Sequence, residues 1–153
     1  MSKPEFVYVT YIRTTIDRLW DALTEPEFTR QYWCETYQDA EWKKGGVWRL
    51  CTPDGRIADA GEVLEIDRPR HLAVSWRHEL SEEIRVEGFS RMTFDLETVG
   101  DTVKLTVTHD IEVSGSKLIE SVSGGWPLIL ASLKSLLETG KPLEETRYWP
   151  KSM

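Results

Sequence analysis

The sequence predicts an α+β fold: a curved, six-stranded antiparallel sheet with a long C-terminal helix lying across one face. Three observations predict it. Apolar side chains at Ile119, Val122, Trp126, Ile129, Leu130, Leu133 and Leu137 recur in steps of three and four, which places them on one stripe of a helix. Leu72, Val74 and Trp76, then Met92, Phe94 and Leu96, then Val103, Leu105 and Val107 each alternate with polar residues, the pattern of strands with one buried face. The helical stripe follows the strands, so the sheet's apolar face is the place for it to bury. If helix and sheet do not close fully on each other, the gap is an apolar pocket.

The elements follow in order. Glu5 to Ile12 is rich in Val, Tyr and Thr and reads as a strand. Thr14-Thr15 offers an N-cap for a helix carrying Ile16, Leu19, Trp20 and Leu23, with Asp17 in its first turn. Pro26 ends that helix and sits at the first position of a second short one reaching Tyr32. Strand signals begin after Glu41. Val47–Thr52 and Arg56–Ile66 are separated by Pro53-Asp54-Gly55, and Gly61 marks a candidate bulge. Asp67-Arg68-Pro69-Arg70 turns the chain into the Leu72–Trp76 strand. The acidic stretch Glu79–Gly88 reads as a loop, and two further strands meet at Val99-Gly100-Asp101. Gly124-Gly125 and Pro127 predict a kink inside the final helix or a restart there, and the unbroken phase of the stripe favours one kinked helix ending at Gly140. Residues 1–153 read as a single domain.

Composition narrows the function. Net charge is −7, so the surface repels phosphate backbones and anionic lipid, and neither nucleic acid nor membrane is expected as a partner. No apolar run approaches the ~18 residues of a membrane span, and the Met1–Glu5 start carries no secretory pattern, which makes the cytoplasm the expected location. Cys34 and Cys51 form no metal or redox spacing and read as reduced thiols. No dinucleotide fingerprint, P-loop, nucleophile elbow or zinc-protease motif is present, so neither a cofactor nor a metal is expected. Glu82-Glu83 and Glu144-Glu145 are adjacent carboxylates that point apart and make poor acid–base pairs.

Alternation carries polar residues onto the apolar face as well. His109 continues Val103, Leu105 and Val107; His78 continues Leu72, Val74 and Trp76; Ser90 continues Met92, Phe94 and Leu96. Matching the apolar faces across the Val99-Gly100 turn pairs Leu96 with Val103 and Ser90 with His109, and an extension pairs His78 with Ser90. That row would hold the two imidazoles about 10 Å apart on either side of one strand. It reads as the wet rim of the sheet or as two groups reaching a bound molecule, with a general-base role for either His as the remaining alternative. Of the seven tryptophans, Trp48, Trp76 and Trp126 face inward, as does Trp20. The candidate ligand-binding set is therefore Trp48, Trp76, His78, Ser90, Met92, Phe94, His109, Trp126, Leu130 and Leu133, with no catalytic residue assigned.

The segments Val7–Ile12 and Leu19–Glu27, then Gly61–Asp67, Leu72–Trp76, Thr106–His109, Gly125-Trp126-Pro127 and Leu133–Glu138, together resemble the START-like (SRPBCC) superfamily. More narrowly they resemble the activator of heat-shock-protein-ninety ATPase homologues. The resemblance covers nearly the whole chain; one departure is Ile16, where many relatives carry proline. It implies a helix-grip fold around a hydrophobic cavity and the binding of lipids, sterols or polyketide-like molecules. It also implies two alternatives, a co-chaperone with a chaperone as partner and, as in a few relatives, a cyclase or hydrolase. A small hydrophobic ligand is the expected partner, and the chain is expected to be a monomer or homodimer.

Overall fold

The computed structural model describes residues 3–150. The chain runs β1 (Glu5–Ile12), α1 (Ile16–Thr24), α2 (Pro26–Tyr32), β2 (Tyr37–Ala40), β3 (Val47–Cys51), β4 (Ile57–Asp67), β5 (His71–His78), α3 (Glu82–Arg85), β6 (Ser90–Val99), β7 (Thr102–Asp110) and α4 (Lys117–Thr139). All seven strands join one sheet in the order β1-β7-β6-β5-β4-β3-β2, and every pairing is antiparallel.

The seventh strand, β2, corrects the expected six. Tyr37-Gln38-Asp39-Ala40 carries little strand propensity. It pairs with β3 because Gln38, which is buried, donates to the Leu23 carbonyl at 2.5 Å and accepts from Trp48 Nε1 at 2.9 Å. The helices begin where capping chemistry dictates. Thr15 Oγ1 accepts from the Arg18 amide to open α1, and Ser116 accepts from the Ile119 amide to open α4. Gly140 closes α4 at φ +87°, a left-handed stop that Gly reaches without steric penalty. α4 neither stops nor restarts at Pro127; it is one 23-residue helix. The expected loop at Glu79–Gly88 contains one helical turn, α3.

Two registers differ from expectation by two residues. Met92, not Ser90, lies opposite His109, and Leu96 lies opposite Leu105. Trp76, not His78, lies opposite Ser90, while His78 pairs with Asp59 on the other side. The β6–β7 turn is Gly100-Asp101, with Val99 opposite Thr102 and Gly100 at φ +59°. A two-residue hairpin favours Gly at its first loop position, which sets this register. A two-residue slip leaves every side chain on the same face, so matching apolar faces could not detect it.

The irregularities of β4 also fall elsewhere than at Gly61. Against β3 the ladder passes from Asp59 to Ile57 and skips Ala58; against β5 it passes from Val63 to Glu65 and skips Leu64. Gly61 serves strand packing instead. A Cβ at this position would lie 1.8 Å from the Ser75 carbonyl oxygen, so only Gly lets β5 approach so closely. The core fills the space between the sheet's inner face and α1, α2 and α4, with Trp48, Phe94, Leu105, Leu130 and Leu133 among its fully buried side chains.

Candidate ligand-binding site

Between the sheet and the N-terminal half of α4 lies a cavity of about 400 Å³. α4 contributes Leu118, Ser121, Val122, Gly125, Trp126 and Ile129, a helical stripe at spacings of three and four. The sheet contributes Leu50, Ala58, Asp59, Trp76 and His78. Trp33, Cys34 and Thr36 close one side from the α2–β2 connection, where Cys34 and Glu35 both take left-handed backbone conformations (φ +51° and +61°). Two consecutive non-Gly residues there turn the chain sharply and bring Trp33 and Cys34 to the cavity wall. Burial pushes the Cys34 thiol above its ordinary range, with Glu35 adding to the effect, so it is a poor nucleophile.

Aromatic rings make much of the wall. Trp33 and Trp126 centroids are 5.2 Å apart, Trp76 and Trp126 5.9 Å, and Trp48 backs Trp76 at 4.8 Å. These are the separations at which offset and edge-on ring pairs attract.

One end of the cavity is polar. Asp59 is buried, and its Oδ1 accepts from Trp76 Nε1 at 2.8 Å and meets His78 Nδ1 at 3.0 Å. The skipped Ala58 is what lets consecutive residues of β4 both face the cavity, a use of bulges seen beside binding sites. Burial pushes the Asp59 carboxyl up, against the opposing pull of the His78 and Trp76 hydrogen bonds. The Asp59 hydrogen bond holds His78 above the usual imidazole range, more strongly than partial burial draws it down. Among the described residues, neither His78 Nε2 nor Asp59 Oδ2 has a hydrogen-bond partner.

His109 is a different imidazole. Trp126 Nε1 donates to its Nδ1 at 3.2 Å, and its Nε2 lies 2.8 Å from Ser90 Oγ. Ser90 Oγ donates its one proton to the Trp76 carbonyl at 2.8 Å, so His109 Nε2–H is the donor to Ser90. Both ring nitrogens are satisfied in a neutral ring, and burial pushes its pKa down to about 3. A base that must accept the serine proton cannot be a donor to that serine, so the pair is not a nucleophile and its base. It fastens α4, through Trp126, to β5, β6 and β7.

Residues 13–138 match the sequence profile of the family described as "Activator of Hsp90 ATPase homolog 1-like protein". The chain belongs to that family. No functionally curated protein matches it significantly. Among solved structures of this Hsp90-activator-like fold, CalU16 from Micromonospora echinospora superposes with a TM-score of 0.72 at 21% identity, over 93% of this chain and 78% of that one. The Aha1 dimer from Colwellia psychrerythraea gives 0.70 at 18% identity, over 90% and 98%. PFC0360w, an HSP90 activator from Plasmodium falciparum, gives 0.70 at 21%, over 87% and 95%. The helix-grip architecture is thus shared.

Within this family member, Trp76, His78 and Trp126 line the cavity. Trp48, Ser90, Met92, Phe94, His109, Leu130 and Leu133 are buried in the core and do not line it. The structure joins Ser90 to His109 and sends His78 to Asp59, so the three-residue row does not form. Trp33 and Asp59 were outside the candidate set. Asp59 had a signal: counting back in twos from buried Val63 reaches Gly61 and then Asp59, on the inward face. Trp33 had none, because it follows the helix end where periodicity stops. Among the described residues no group of three metal-binding side chains occurs, and no helix is long and apolar enough to cross a membrane.

Proposed function

We propose that this chain binds a small hydrophobic molecule in the cavity between the sheet and α4, with Trp33, Trp76, Val122, Trp126 and Ile129 in contact with its body and His78 at its polar end. One observation carries the reading: about 400 Å³ of largely apolar, aromatic-lined space ends in a single hydrogen-bonded Asp–His pair. Space of this size, apolar with few convergent polar groups, is the usual form of a small-molecule site (~300–1,000 Å³). The pocket reaches solvent past Ser121 and Trp149, so a ligand has a way in. The test is native mass spectrometry of the purified protein, followed by titration with lipids and aromatic polyketides while tryptophan emission is read. A mass adduct or saturable quenching is expected. A bare mass together with no quenching by any compound overturns the proposal.

A co-chaperone role is the second reading, supported by the family description and by the Plasmodium structure named as an HSP90 activator. Stimulation of a chaperone's ATPase at micromolar protein is its test, and no change in rate removes it.

A further inference from the structure

Resting on the ligand-binding reading, we propose that the site selects flat aromatic molecules carrying a hydroxyl group, over both the unsubstituted hydrocarbon and the corresponding carboxylate. The aromatic preference comes from the walls. Trp33, Trp76 and Trp126 form one contacting cluster on the wall, with centroids 5.2–6.3 Å from one another, which offers ring faces and edges rather than flexible aliphatic chains. The hydroxyl preference comes from His78. Its Nδ1 is fixed on Asp59 Oδ1, and Trp76 Nε1 holds the same oxygen from a second direction, so ring and carboxylate are oriented before anything binds. The opposite ring nitrogen, Nε2, is left without a partner among the described residues while the side chain lines the cavity.

The chemistry of that one atom narrows the ligand. When His78 is neutral, the Nδ1 proton points at Asp59 and Nε2 is an acceptor; when it is protonated, Nε2–H is a donor. A hydroxyl serves both states, since it donates to the first and accepts from the second. A carbonyl or ether serves only the second. A carboxylate serves only the second and brings a negative charge beside Asp59, with Glu79 next to His78 in the chain and felt by both groups. A plain hydrocarbon leaves Nε2 without a partner as it expels water from the cavity, which forfeits a hydrogen bond. A site built around a hydrogen bond to a hydroxyl rejects the analogue lacking it more firmly than an apolar pocket rejects an extra methylene.

The experiment is isothermal titration calorimetry of the full chain with naphthalene, 2-naphthol and 2-naphthoate. The expected order is 2-naphthol tightest, by about tenfold over naphthalene, the scale of one hydrogen bond to a group that can be charged. 2-Naphthoate is expected to be weakest. In His78→Phe the naphthol preference should vanish, so that 2-naphthol and naphthalene bind that variant within about twofold of each other. The naphthalene titration reports in the same variant whether the cavity survives, and the wild-type ratio decides the matter even if that variant does not fold. Failure of all three compounds while a lipid still binds overturns the aromatic preference alone, and failure of all three together with no lipid binding and a bare native mass removes the cavity reading itself. Naphthalene equal to or better than 2-naphthol leaves the cavity reading standing and overturns the hydroxyl preference. So does 2-naphthoate binding tightest, and so does a naphthol preference that persists in His78→Phe.

Discussion

The two halves of α4 face the same sheet and do opposite things. Leu130, Leu133, Leu136 and Leu137 are sealed in the core, and this half is tied to the N-terminal strand by polar bonds: Lys134 Nζ reaches the Tyr11 carbonyl, and Glu138 accepts from the Arg13 amide at 2.8 Å. The other half spans the cavity with Leu118, Val122, Trp126 and Ile129. It is pinned at its first turn, where Glu87 accepts from Ser116 Oγ at 2.6 Å and from the Lys117 amide at 2.7 Å. Between the two anchors, Gly124, Gly125 and Pro127 weaken the helix itself. Each Gly costs about 1 kcal/mol of helix propensity relative to Ala, and Pro127 removes the amide that would reach the Ser123 carbonyl. Strong helix formers thus sit where packing is tight, and weak ones sit over the space. Over the cavity the helix depends on Trp126, bonded to His109, rather than on its own propensity.

The sharpest way to break this contrast is to truncate one side chain in each half. Leu133→Ala removes a fully buried side chain from a packed region and should cost about 2–5 kcal/mol of unfolding free energy. Ile129→Ala only enlarges a space that already exists, and should cost under about 1 kcal/mol. Urea denaturation of both variants decides, and equal losses would mean that the cavity half is packed like the rest.

Trp126 is where the halves meet, and its effect should be intermediate. Trp126→Phe keeps an aromatic ring against Phe94 and Trp33 but strips the donor from His109 Nδ1. A buried acceptor left unpaired costs about 1–3 kcal/mol. A loss well below that in the same denaturation measurement would show that water replaces the indole.

Two histidines give opposite pH signatures. His109 is held near 3 when folded against about 6.5 when unfolded, so between those values the unfolded chain binds the extra proton. Its contribution is complete above about pH 6.5 and is lost as pH falls toward 3, at up to about 1.4 kcal/mol per pH unit. His71, on the outer face, lies between Asp95 Oδ1 at 2.6 Å and Glu65 Oε1 at 2.8 Å. Partial burial opposes its protonation, but the two carboxylates prevail and its pKa is raised. Its contribution is present below about pH 6.5 and is lost as pH rises through its folded value, with a smaller amplitude because solvent screens it. Stability measured against pH in His109→Gln should lose slope on the acid side, and in His71→Gln on the neutral side. The same slope in wild type and His109→Gln would show that His109 is not the group being titrated.

Much of this was legible in the sequence because period and face survive small errors. The stripe from Ile119 to Leu137 located α4 and turned Trp126 toward the sheet, and alternation put Trp76 and His109 on the inner face. What escaped depends on details that alternation does not encode. Residue Gln38 makes a strand out of β2 through contacts with Leu23 and Trp48, both distant in sequence. The Gly100-Asp101 turn moved the β6–β7 register by two residues without moving a face, and the β5–β6 register is offset by two as well, so that His78 lies opposite Asp59 rather than Ser90. The skipped Ala58 then brought the Asp59–His78 pair and its neighbour to the same space.

The smallest expected effect tests why the weak centre of α4 is there. Gly125 lines the cavity, and a Cβ built on it meets nothing within 4 Å. On helix propensity alone, Gly125→Ala should stabilise the fold by about 0.5–1 kcal/mol. The added methyl group enters the cavity, so the same variant should bind naphthalene more weakly than the wild type does. Greater stability with weaker binding is the signature of a glycine kept for space at the expense of the helix. If the variant is more stable and binds equally well, Gly125 contributes no needed room, and the contrast between the halves of α4 rests on packing alone.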